Sequence, residues 1–119
     1  MWNNPACSKC AVARETLELA QVPVSLRPYL QQGPTVAELA DVLTRLQLAP
    51  WDICRLSEPV ATALGLADWP RVEASASQWI DAMVANPVLI QRPIVLLDDG
   101  SAIVARDAEA LAEVLRRAH

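Results

Sequence analysis

The chain has 119 residues, 53% of them hydrophobic and 20% charged, which suits one domain with one core. A net charge of −4 and a pI near 4.8 argue against a broad nucleic-acid-binding face. No charged leader followed by an apolar run and no stretch near the ~20 apolar residues of a membrane span is present, and three cysteines without a secretion signal fit a reducing, cytoplasmic setting.

Phenylalanine is absent, so the expected core is Leu, Val, Ile and Ala with four tryptophans. Asn4-Pro5-Ala6-Cys7-Ser8-Lys9-Cys10 precedes an Ala-rich segment of helical period, which places a cysteine pair where a helix begins. Free backbone N–H groups and the positive end of the helix dipole favour a thiolate there, and the thiolate is the reactive form. Cys7 is therefore a candidate nucleophile. A lone Cys-x-x-Cys is also half of a zinc site, but only Cys54 and His119 remain as thiol or imidazole ligands, a poor supply. Two inert buried cysteines are the other alternative, and the polar Pro5, Ser8 and Lys9 around them speak against it.

The first helix is expected over Cys10–Ala20, with Val12, Leu17 and Leu19 on its apolar side and Gln21 ending it. Residues 22–30 read as a strand near a sheet edge, because β-branched and aliphatic residues are interrupted by Pro23 and Pro28. Gly33-Pro34-Thr35 gives a turn and an N-cap, and Glu38 completes a capping box before Leu39, Val42, Leu43 and Leu46. The segment 51–56 carries Cys54 and Arg55, and 58–64 has the composition of a short helix closed by Gly65. Ser75 or Ser77 is positioned to cap a helix through Trp79, Ile80, Met83 and Val84, which Asn86-Pro87 terminates. Arg92-Pro93 leads into a hairpin of 94–97 and 102–105 across Asp98-Asp99-Gly100-Ser101, and a last helix is expected over about 107–117. The order is an α/β outline.

Five segments together resemble a known family. They are the Cys7 loop, Leu26-Arg27-Pro28-Tyr29-Leu30, Asp52-Ile53-Cys54-Arg55-Leu56-Ser57-Glu58-Pro59, Leu89-Ile90-Gln91-Arg92-Pro93-Ile94 and Val104-Ala105-Arg106-Asp107. In this combination the chain is similar to the glutaredoxin-coupled arsenate reductases and their Spx-type relatives. The resemblance implies a thioredoxin/glutaredoxin-like fold with a helical insertion at about 35–86, and a cis Pro93 beside the active cysteine. It also implies that Arg55, Arg92 and Arg106 form an oxyanion pocket around Cys7, since guanidinium groups offer directed, permanently charged donors to a tetrahedral anion. The implied substrate is arsenate. The reductant would be glutathione with glutaredoxin, or a dithiol protein such as thioredoxin, with no metal or bound organic cofactor.

The sequence departs from the family pattern in three places. Asn3 stands where the family has a histidine, and Cys10 and Ala11 replace a serine and an arginine, so a Cys7–Cys10 disulfide becomes available at thioredoxin-type spacing. Cys54 is the weaker resolving candidate, with core burial as its expected role. The family's first strand is expected to be missing or a stub, since only Met1 and Trp2 precede Asn3-Asn4. Two other functions fit parts of the pattern: a dithiol oxidoreductase of another substrate, and an Spx-type regulator that binds the RNA polymerase α subunit.

Overall fold

A computed structural model describes residues 1–118. The chain divides into two compact units, one made of residues 1–32 with the chain from Arg92 onward, the other of residues 33–91.

In the first unit, α1 (Ser8–Leu19) buries Cys10, Ala13 and Leu17. Val12 and Leu19, expected on the apolar side, are exposed to 51% and 82%. At about 100° per residue they lie on the far side of the helix from Cys10, so the buried stripe follows the small residues. Gln21 ends α1 in the left-handed conformation at φ 58, and Val22 N–H reaches back to Leu17 O at 3.0 Å.

The hairpin is as the sequence pattern predicts. β1 (Ile94–Leu96) pairs antiparallel with β2 (Ala102–Val104), with Val95 opposite Ile103. Gly100 closes the turn at φ 90, where a side chain would be strained. Asp107 Oδ1 then caps α5 (Ala108–Ala118) by accepting Ala110 N–H at 2.7 Å. Ala13 and Leu17 of α1, Val95 and Leu97 of the hairpin, and Leu111 and Val114 of α5 share one core with Met1 and Ala105.

The strand expected at residues 22–30 is not formed. Only Arg27 pairs, as an isolated parallel bridge to Trp2. Pro23 and Pro28 have no N–H to give a ladder, and the neighbouring backbone is short. Trp2 sits between Arg27 and Ile94, donating to Ile94 O at 2.8 Å, while Met1 O accepts Arg27 N–H at 2.9 Å. The expected first strand is thus reduced to a stub, with Trp2 alone bridging Arg27 on one side and Ile94 of β1 on the other. A cavity of about 510 Å³ lined by Met1, Leu17, Val22, Val24, Val95, Leu97 and Val114 among others adjoins it.

That cavity yields a stability prediction. Three or four β-branched residues added ahead of Met1 extend the stub into it, pairing backbone on both sides. Apolar burial of ~1.5–3 kcal/mol per side chain, set against ~1–2 kcal/mol per residue for ordering, leaves a gain of about 1–2 kcal/mol. Thermal unfolding should show Tm higher by roughly 3–8 °C. An unchanged or lower Tm would mean that the space does not accept a strand.

In the second unit, α2 (Val36–Leu46) carries the expected capping box: Glu38 N–H donates to Thr35 Oγ1 and Thr35 N–H to Glu38 Oε1, both at 3.1 Å. The short α3 (Pro59–Leu64) ends on Gly65 at φ 68. Ser75 precedes α4 (Ala76–Ala85), but its hydroxyl donates to Pro70 O and Val72 O and does not cap the helix. The same Pro70 carbonyl accepts Trp79 Nε1–H at 2.9 Å, and Trp79, fully buried, meets the edges of Trp51 and Trp69. No described helix is long and apolar enough to cross a membrane.

Candidate active site

Cys7 is the N-cap residue of α1, half-buried and extended at φ −94, ψ 125. The loop before it is built from Asn4: its carbonyl accepts Cys7 N–H at 3.0 Å, and its Oδ1 accepts Ala6 N–H at 3.0 Å. Pro5 stands between them and donates nothing. This tight turn presents the Cys7 sulfur to the first N–H groups of the helix.

Burial acts to raise the Cys7 thiol. Hydrogen bonding from the Arg92 side chain opposes it, as do the backbone N–H groups of Cys10 and Lys9 and the Cys10 thiol, and the balance brings the pKa down to about 7. Cys10 is the opposite case. It is fully buried, its sulfur accepts Asn4 N–H at 3.4 Å, and burial followed by the nearby Cys7 charge pushes its thiol up despite that hydrogen bond. The pair therefore consists of an accessible, readily ionised thiol and a sheltered, protonated one.

Alkylation by iodoacetamide should accordingly modify Cys7 first, with a rate that rises through a midpoint near pH 7, because only the thiolate reacts. Cys10 and Cys54, the latter pushed up to about 11 by burial, should remain unmodified in the folded protein at that pH. Peptide mass spectrometry that finds Cys10 or Cys54 labelled before Cys7 contradicts the assignment.

Arg92 enters at the start of β1, and the Arg92–Pro93 peptide is cis. Arg106, just after β2, donates from Nη1 to Arg92 O at 2.8 Å, while Ala105 N–H donates to Pro93 O at 2.9 Å. The two hairpin arginines are thereby tied to each other through backbone as well as side chain. Arg55 belongs to the second unit: its N–H donates to Leu89 O at 2.7 Å and its guanidinium pairs with Glu58. Cys54, also in that unit, is buried beside an isolated bridge to Ile90.

Two polar side chains that the sequence did not mark as site residues lie near the Cys7 loop. Asn3 Oδ1 is buried with no hydrogen-bond donor, and Tyr29 Oη is buried with no acceptor for its proton, among the described residues. Leaving such a group unsatisfied costs about 1–3 kcal/mol. The cue for Tyr29 was available, since it is the sole tyrosine of the chain. No group of three or more His, Cys, Asp or Glu side chains placed to hold a metal occurs among the described residues, and His119 lies outside them.

The ArsC family matches residues 2–114. An "Uncharacterized protein in glnII region" of Streptomyces viridochromogenes is 44% identical over 117 residues, with 98% of each chain covered. An arsenate reductase of Neisseria meningitidis is 34% identical over 116 residues, covering 97% of this chain and 96% of that one. The solved arsenate reductase of Vibrio cholerae superposes with a TM-score of 0.81 at 29% identity, covering 98% of this chain and 93% of its own. The mixed α/β arrangement is of the thioredoxin-like class, and the chain belongs to the ArsC family.

Proposed function

We propose that this protein reduces arsenate to arsenite, with Cys7 as nucleophile and Cys10 as the resolving thiol. The observation that carries the reading is the Cys7 thiol at the N-terminus of α1, lowered to about 7 with the Arg92 guanidinium beside it. A thiolate and an anion-binding group stand together, which is what attack on an oxyanion needs. Membership of the ArsC family supplies the substrate class.

In the first step the Cys7 thiolate bonds to arsenic and one oxygen of dihydrogen arsenate leaves as water, carrying both protons of the anion. Arg92 stabilises the oxygen charge, and Arg106 holds the Arg92 backbone in place through its carbonyl. In the second step the Cys10 sulfur attacks Cys7, the S–As bond breaks, and its electron pair stays on arsenic. As(V) becomes As(III), two thiols become one disulfide, and arsenite departs with the Cys10 proton. An external thiol then reduces the disulfide by exchange. Thioredoxin, or glutathione with glutaredoxin, is the proposed donor.

The family resemblance assigns Arg55 to the same anion, and a rise in KM for arsenate in Arg55→Ala is the corresponding readout. The test of the whole reading is NADPH oxidation coupled to thioredoxin and its reductase, or to glutathione, glutaredoxin and glutathione reductase, with and without arsenate. Arsenate-dependent turnover with either system supports it. Dithiol turnover independent of arsenate would replace it with a thiol oxidoreductase of another substrate.

A further inference from the structure

We propose that the Tyr29 hydroxyl is a neutral hydrogen-bond donor to the oxyanion held at Cys7, and so a further substrate-binding residue. The inference rests on the arsenate reading given above.

Tyr29 is fully buried, and its hydroxyl proton meets no acceptor among the described residues. Buried hydroxyls are normally satisfied, and phenylalanine would fill the same space without an orphan. The ring is nevertheless firmly held. It stacks on Trp2 with centroids 6.1 Å apart and planes at 22°, and Arg27 covers that Trp2 ring at 5.4 Å. The Tyr29 N–H donates to Arg27 O at 2.9 Å, the same carbonyl that accepts Asn3 N–H at 2.8 Å. The backbone leading into the Cys7 loop and the backbone carrying Tyr29 are thus joined at one atom.

The groups that act on the hydroxyl are those of the site. Burial pushes it up to about 12; the positive charge of Arg92 opposes this, Cys10 and Cys7 add to it, and a hydrogen bond from the Arg92 guanidinium, which can only donate, lowers it again. A phenol in that state stays protonated at neutral pH and brings no negative charge to repel an incoming anion. It can donate its proton to an oxygen of arsenate in a short, charge-assisted hydrogen bond. An arginine supplies charge along with its donors; a fixed phenol supplies direction alone. A buried phenol whose proton has no acceptor is then a donor whose partner is the substrate.

Tyr29→Phe tests this with three readouts on the full chain. Without anion, Tm should hold or rise, because the buried hydroxyl proton without an acceptor is gone and the ring stack remains. The arsenate concentration that half-protects Cys7 from iodoacetamide should increase about 10-fold, the loss expected for one such hydrogen bond worth ~1.4 kcal/mol, and kcat/KM should fall by a similar factor. The pH midpoint of Cys7 alkylation should stay near 7, which separates a lost anion contact from a damaged nucleophile. Equal protection of wild type and variant overturns the inference. A lowered Tm also overturns it, since the hydroxyl then serves the fold. If arsenate protects neither protein and no arsenite forms, the arsenate reading itself fails and this inference with it.

Discussion

Replacing Cys7 by serine abolishes arsenate reduction, with kcat/KM down by at least ~10³-fold, because a serine hydroxyl without a neighbouring base is a weak nucleophile and forms no S–As bond whose electron pair can stay on arsenic. The fold should be little affected. Cys7 is half-buried at a helix cap, its side chain makes no capping hydrogen bond, and Ser is itself a preferred N-cap residue. Circular dichroism and Tm close to wild type, with arsenite release at background by arsenic speciation, are the expected results. Retained turnover in Cys7→Ser would move the chemistry to another thiol.

The second large effect belongs to Cys10. In Cys10→Ser the oxidised Cys7 has no internal thiol to complete the exchange, so turnover with thioredoxin should fall by ~10²-fold, while glutathione plus glutaredoxin retains more of it. A mixed disulfide between Cys7 and glutathione should accumulate and be visible by intact mass. Serine can still accept the Asn4 N–H that now meets the Cys10 sulfur at 3.4 Å, so gross unfolding is not expected. Unchanged rates with both donors would make Cys10 a buried bystander.

What could be read from sequence was local. The Thr35/Glu38 box, the Gly65 stop and the turn at Gly100 each depend on a few adjacent residues and the conformations they allow, and each is present. The thiol at a helix start was legible for the same reason, since Asn4-Pro5 and the Ala-rich run after it fix where α1 begins. The misread segments depend on remote partners. Residues 22–30 have the composition of a strand, yet a strand needs a ladder, and here the neighbour is a stub with Trp2 alone bridging. Ser75 has the composition of a cap, but Pro70 O and Val72 O take its hydroxyl. Val12 and Leu19 are apolar on the wrong phase of α1, whose burial follows Cys10, Ala13 and Leu17.

The candidate site divides in the same way. That Arg92 and Arg106 bracket the hairpin is visible in the sequence; that Arg106 grips the Arg92 carbonyl is not. Nor could residue order tell that Cys10 is the sheltered thiol of the pair, because this follows from which face of α1 packs inward. Tyr29 lies in the segment 26–30, whose composition reads as a strand. Its position beside Trp2 and the lack of an acceptor for its hydroxyl proton come from tertiary packing alone.

The most direct measurement is a single turnover: fully reduced protein, freed of small thiols, is mixed with excess arsenate, and arsenic speciation is followed together with peptide mapping of the cysteines. One arsenite per chain and a disulfide between Cys7 and Cys10 are expected, with Cys54 still a free thiol. No arsenite, with both Cys7 and Cys10 still reduced after prolonged incubation, would contradict the mechanism.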